Sequence, residues 1–362
     1  MERRTFLKLL LGMLAGSLSG CGGGGGSNSQ QPNLPKPPPS QEPKRIKFGL
    51  GNDPERMINA YDPDGKRVLD AIQPDIVCMW INGARDYLGR LYTPSMDYIR
   101  SWAQKDRFAQ WSQMGYELMV ITWENYDGQN SALGLPTYGE WHISEQFFAD
   151  LEEFLGYLRS QFKNKLYFAL ATEQSTYTAC RYDTACSNPQ AYSDRINSIT
   201  EEYFSKLRDS LLKALRIIRN TFPLSDFGVC FGGWLVEFEE GINFVKYFEP
   251  VIYESNAVFF QSMMGKKASE NNGYGNPERI LKNCQFYSLY GKPIHLAHYM
   301  PQNKRTDVIS DDAQRMSDHD YLKTIANYLS SFSFMDYGVL KANEFDCLTK
   351  MVSFRQLLKA IL

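Results

Sequence analysis

Lys165–Gln174 reads KLYFALATEQ. Its apolar residues run almost without interruption into Thr172-Glu173-Gln174, with no polar alternation. A short continuous apolar run between polar turns suits a strand covered on both faces, as in a parallel sheet. The pattern recurs in both directions along the chain. It appears as RIKFGLG from Arg45, DIVCMW from Asp75, YELMVITW from Tyr116, FGVCFGGW from Phe227, AVFFQSM from Ala257, PIHLAHYM from Pro293 and SFSFMDYG from Ser331. Amphipathic stretches separate the runs. Phe147, Leu151, Phe154, Leu155, Leu158 and Phe162 share one helical face, as do Ile196, Ile199, Tyr203, Leu207, Leu211, Leu215 and Ile218. Thr93-Pro94 and Asn276-Pro277-Glu278 each place a capping side chain before a proline at a helix start. Eight such βα units predict an α/β fold, a (β/α)8 TIM barrel forming a single domain over residues 45–362. A doubly wound open sheet is the alternative. Gly49-Leu50-Gly51-Asn52-Asp53-Pro54 lacks the third glycine that its phosphate turn uses.

Upstream of this domain the chain reads as an address and then a spacer. Arg3-Arg4-Thr5-Phe6-Leu7-Lys8 resembles the twin-arginine export signal. The apolar run Leu9–Leu18 is well short of the ~20 residues that span a bilayer. Leu18-Ser19-Gly20-Cys21 resembles a bacterial lipobox, whose cysteine becomes the lipidated first residue. These resemblances imply a signal peptide over residues 1–20, lipidation at Cys21, and folding before export. The protein is then expected on the cell envelope, periplasmic or on the outer face of the membrane, held through the lipid alone. Residues 21–44 are rich in Gly, Ser and Pro and hold no apolar anchor, which predicts a disordered tether.

The formal charge is −2 overall and +2 for residues 1–20, hence −4 on the remainder. No basic cluster occurs, so nucleic acid and anionic lipid surfaces are poor partners. Six cysteines lie beyond Cys21. Cys180 and Cys186, in the polar segment CRYDTAC, are the pair expected to form a local disulfide after export. Cys78 and Cys230 lie in strand-like runs and are expected as buried thiols. No Cys-x-x-Cys occurs and the four histidines are scattered, so neither a metal nor another cofactor is expected.

In barrels of this kind chemistry gathers at the C-terminal strand ends. Those ends supply Asn52 and Asp53; Trp80, Asn82 and Arg85; Trp123, Glu124, Asn125 and Tyr126; Thr172, Glu173 and Gln174; Trp234, Glu237 and Glu239; Gln261; His298 and Tyr299; and Asp336 and Tyr337. Aromatic rings that stack on pyranose faces, with amides and carboxylates that bond hydroxyls, make a sugar cleft. Each residue also has a structural alternative. The tryptophans can cap the core. Glu173, a carboxylate at the end of an apolar run, can pair with an arginine. Glu237 and Glu239 can open the next helix. His295 precedes His298 by three positions and by alternation points to the other side of the strand. No Gly-x-Ser-x-Gly elbow supports a serine nucleophile.

The chain resembles the clan A glycoside hydrolases, and among them most the β-mannanase-type family 26. The resemblance rests on Gly139-Glu140-Trp141-His142 before the third helix, on KLYFALATEQ, and on Tyr290-Gly291-Lys292-Pro293-Ile294-His295-Leu296-Ala297-His298-Tyr299 as the seventh strand. It implies that Glu173 is the acid/base at the end of strand four. The family's nucleophile position on strand seven holds His298 instead of Glu, and Thr172 stands where the family has His or Asn. A retaining glycosidase needs two carboxyl groups about 5–5.5 Å apart, an inverting one about 6.5–9.5 Å. Three readings result. Glu237, Glu124 or Asp336 supplies the second carboxylate, with His298 tuning Glu173 or bonding sugar; the barrel binds a glycan without cutting it; or the barrel does other chemistry, which fold alone does not exclude. Substrate contacts are expected from Trp80, Asn82, Trp123, Glu124, Trp234, Gln261, Tyr299 and Asp336.

Overall fold

A computed structural model describes residues 45–81, 96–123, 145–172, 195–198 and 200–360. Eight parallel strands close into a barrel in sequence order. They are β1 (Lys47–Asn52), β2 (Ile76–Ile81), β3 (Glu117–Trp123), β4 (Leu166–Thr172), β5 (Asp226–Gly232), β6 (Val258–Ser262), β7 (Ile294–Tyr299) and β8 (Leu329–Met335). All eight fall on the apolar runs, and closure rules out the open sheet. Helices lie between successive strands and after the last, from Pro54–Ile58 and Pro63–Ile72 after β1 to Cys347–Ala360 after β8. Of the first amphipathic face, Phe147, Leu151, Phe154, Leu155 and Leu158 are buried in the helix Glu145–Gln161, with Phe162 just past its end; of the second, Leu207, Leu211, Leu215 and Ile218 are buried in the helix Glu201–Thr221, which starts after Ile196.

Alternate residues of the strands enter two cores. Outward-facing residues such as Phe48, Val120, Phe168, Phe231, Phe260 and Phe332 pack against the helices. A smaller set fills the barrel itself: Ile76, Cys78, Met119, Ile121, Tyr167, Ala169, Cys230, Phe259, Ala297 and Met335, with Trp80 against them. Cys78 and Cys230 are buried, and burial pushes the Cys78 thiol up to about 12. Small residues let strands approach. A Cβ on Gly228 would lie 2.1 Å from the Ala257 carbonyl oxygen, so no other residue fits there.

Polar groups close the N-terminal end of the barrel. Lys47 Nζ bonds Glu117 at 2.6 and 2.8 Å, and the Tyr167 hydroxyl donates to the same carboxylate at 2.6 Å. Lys165 reaches Asp226 at 2.8 Å; His295 bridges Asp226 (3.1 Å) and Ser331 (2.8 Å). The interior is thus floored by paired groups, as burial of charge requires.

Two irregularities break the alternation near the opposite end. Between Phe260 and Gln261, β6 advances one residue while β7 advances from Leu296 to His298. On β4, the four residues 169–172 run alongside only three of β3, 121–123. Ala171 takes a left-handed φ of +55° there, and its N–H donates to Thr122 Oγ1 at 3.1 Å. Each is a β-bulge, in which one extra residue re-aims the side chains beyond it.

Candidate functional site

The bulge in β7 decides which side chains reach the barrel mouth. His295 faces the interior, and strict alternation would turn His298 outward. The extra residue at Ala297 instead puts His298 level with Gln261, on the inner side. The expectation that the two histidines lie on opposite sides is therefore corrected: both face inward, His295 in the floor and His298 at the top. The same shift corrects Tyr299. It faces the helices, wholly buried, with ring centroids 5.1 Å from Phe332 and 5.7 Å from Phe334. Its hydroxyl donates to Asp312 at 2.7 Å, so it is not in the mouth to meet a substrate.

Around the mouth, Trp80 and His298 stand with ring centroids 6.0 Å apart. Gln261 is the ladder partner of both His298 and Gly232. A Cβ on Gly232 would fall 2.6 Å from the Trp234 ring, so that indole occupies the space over the end of β5. Thr172 pairs with Trp123 across the β4 bulge. The structure thus gathers Trp80, Trp234, Gln261, His298 and Thr172 at one end of the barrel. Thr172 is an addition to the expected contacts. Its signal in the sequence is its place at the end of strand four, before Glu173.

The electrostatics of this cluster are those of neutral groups. Burial pushes the His298 imidazole down to about 4, against the opposing pull of the Asp336 carboxylate. At neutral pH it is an uncharged ring with one donor and one acceptor nitrogen. Gln261 is 0 % exposed, and neither its amide nitrogen nor its oxygen has a hydrogen-bond partner among the described residues. The buried Thr172 hydroxyl is in the same condition. A buried polar group left unsatisfied costs about 1–3 kcal/mol.

The described acids expected beside them carry partners of their own. Glu237 receives two bonds from Arg279, at 2.7 and 2.9 Å, and one from the Tyr274 hydroxyl at 2.7 Å. Asp336, at a left-handed φ of +79°, accepts from the Gly338 N–H at 3.2 Å and pairs with Lys304. Asp53 caps the helix Pro54–Ile58 through the Arg56 N–H at 3.2 Å, and burial raises its carboxyl. Glu173, Asn82, Arg85, Glu124, Asn125, Tyr126, Cys21, Cys180, Cys186 and the side chain of Trp123 lie outside the described residues. Among the described residues, no group of three or more His, Cys, Asp or Glu is arranged to hold a metal ion.

No protein-family model and no curated protein sequence matches the chain. Solved structures do. The Ignisphaera aggregans GH53 catalytic domain superposes with a TM-score of 0.51 at 11% identity, over 89% of this chain and 98% of that one. The intracellular xylanase TsXylA of Thermoanaerobacterium saccharolyticum gives 0.50 at 12% identity, over 81% and 86%. At such identities the likeness is one of fold, and the fold shared with these glycoside hydrolases is the (β/α)8 barrel.

Proposed function

We propose that the chain is an exported, lipid-anchored barrel whose C-terminal mouth acts on a polysaccharide or oligosaccharide, with Glu173 as general acid/base. The observation that supports it most is Gln261, a wholly buried amide with both polar atoms unmatched among the described residues, beside a neutral histidine and two indoles. Vicinal hydroxyls are donors and acceptors at once and complete such an amide without bringing charge. The indoles offer apolar faces to a pyranose. Glu173 comes directly after Thr172, the last residue of β4, in the sequence and would protonate the leaving glycosidic oxygen, the role a general acid plays in such a site.

A second reading, a barrel that binds a glycan without cleaving it, has its own support. His298 supplies no carboxylate, Glu237 is held by Arg279 and Tyr274, and Asp336 by Lys304. Of the three candidate partners of Glu173, that leaves Glu124.

The test is a panel of soluble neutral and acidic polysaccharides, read by affinity electrophoresis for binding and by reducing-end release for cleavage. As a hydrolase, wild-type protein releases ends, and Glu173→Gln lowers release by about 10²–10⁴-fold while binding persists. His298→Glu then tests whether a strand-seven carboxylate raises the rate. Binding without release, weakened by alanine at Trp80 or Trp234 and indifferent to Glu173→Gln, selects the second reading. Neither binding nor release across the panel removes both.

A further inference from the structure

Behind the mouth, on the helix side of β6 and β7, lies a buried polar chain separate from the mouth cluster. Asp312 sits in the helix Thr306–Met316 and is 0 % exposed. Its Oδ2 accepts from the Tyr299 hydroxyl and from Asn276 Nδ2, both at 2.7 Å. Asn276 in turn grips the segment that leaves β6. Its Oδ1 accepts from Ser262 Oγ at 2.7 Å and from the Met264 N–H at 2.9 Å, while Nδ2 also donates to the Met264 carbonyl at 3.0 Å. The sequence suggests Asn276 as a helix cap. The cap is Gly275, whose N–H donates to Glu278 at 2.8 Å, and this frees the asparagine side chain for the grip.

The positions held are telling. Tyr299 comes directly after His298, and Ser262 directly after Gln261; Ser262 and Tyr299 are ladder partners, as are Gln261 and His298. One carboxylate therefore fixes the rung immediately beyond the one that carries the two buried polar groups of the mouth. We propose that Asp312 is a positioning residue, which through Tyr299 and Asn276 sets where His298 and Gln261 stand in the barrel mouth. The inference rests on the reading of the mouth as the functional site, but its test needs no ligand.

Asp312 is also able to change state. Burial pushes its carboxyl up to about 7 and the like charge of Asp311 adds to this; the bonds from Tyr299 and Asn276 and the charge of Arg315 pull the other way. Tyr321, from the helix His319–Ala326, and Glu278, paired with Arg315, face the same region. Lys350, from the closing helix, bonds Ser310 and Gln314 on the flank of the Asp312 helix. Bonds to an ionised acceptor are about twice as strong as neutral ones. Protonation of Asp312 thus loosens both anchors at once.

Full-length protein labelled with ¹⁵N-histidine carries four imidazoles, and His298→Gln assigns the one of interest. Ring shifts are tracked from pH 5 to 9, above the histidine's own titration. In wild type the His298 signals should move through a step near neutral pH. In Asp312→Asn, which keeps an acceptor oxygen but cannot ionise, the step should vanish while the His295 and His319 curves are unchanged. Tyr299→Phe, which cuts the link and leaves the ring, should shrink it. His298 curves that superimpose in wild type and Asp312→Asn overturn the proposal. Failure of glycan binding in the polysaccharide panel would leave this result standing.

Discussion

Replacing Gln261 with methionine should make the protein more stable and its mouth non-functional. The side chains have similar length and volume, so the swap opens no large cavity and forces little overpacking. What it removes is an amide that is 0 % exposed and unmatched at both polar atoms among the described residues. Relieving that desolvation cost is worth about 1–3 kcal/mol. Unfolding entropy of about 2.1 cal/mol/K per residue, over roughly 320 barrel residues, gives about 0.7 kcal/mol/K and hence a rise in Tm of about 1.5–4.5 °C. Thermal and urea unfolding of wild type and Gln261→Met measure the gain, and affinity electrophoresis on a glycan retained by wild type measures the loss. A variant less stable than wild type would refute the reasoning. It would mean that the amide is satisfied in the folded protein and is not held open for a ligand.

Three further outcomes are expected. The folded-state pKa of His298, about 4, lies below the 6.5 of the unfolded chain, so the unfolded state takes up the proton first as pH falls. Its stabilising contribution is complete above about pH 6.5 and is lost toward pH 4; urea titrations should show wild type losing about 2 kcal/mol more than His298→Gln between pH 7 and 5. Arg355 is almost wholly buried against Asp75 at 2.7 Å, while Asp75 also keeps Arg45 at 2.7 Å and the Phe48 N–H at 2.9 Å. Arg355→Met should therefore cost about 2–3 kcal/mol by urea unfolding, somewhat under the usual figure for breaking a buried pair. Cys21→Ser should move the protein from the membrane to the soluble fraction of cells, and unchanged fractionation would remove the lipid anchor from the proposed function.

The barrel is legible in the sequence because of how parallel strands are buried. Covered on both faces, each must be apolar throughout, so the eight runs and the eight strands coincide. Side-chain direction at the strand ends is a different matter. It depends on one extra residue in β4 and one in β7, and neither leaves a compositional trace. Ala171 takes the left-handed conformation with no glycine to announce it, and Ala297 looks like any strand residue. Counting by twos past that point misdirects His298 and Tyr299. Glu237 is ambiguous in sequence for another reason: its partner Arg279 lies 42 positions away, on a helix reached through a whole further βα unit. Asp312 leaves no signal, because an aspartate beside Asp311 on a helix looks solvated until Tyr299 and Asn276 are seen against it.

The bulge at Ala297 bears on how such barrels diversify. Since strand side chains alternate, deleting one residue there would swap the faces of everything after it, turning His298 to the helices and Tyr299 to the mouth. A gain or loss of a single codon can thus exchange the group a barrel offers at its opening while leaving every other amino acid as it was. Column-by-column alignment would score that event as one gap between nearly identical strands. For a mouth built this way, descent is better traced through the ladder pairing of Gln261, Gly232 and Thr172 with their neighbours than through matched letters.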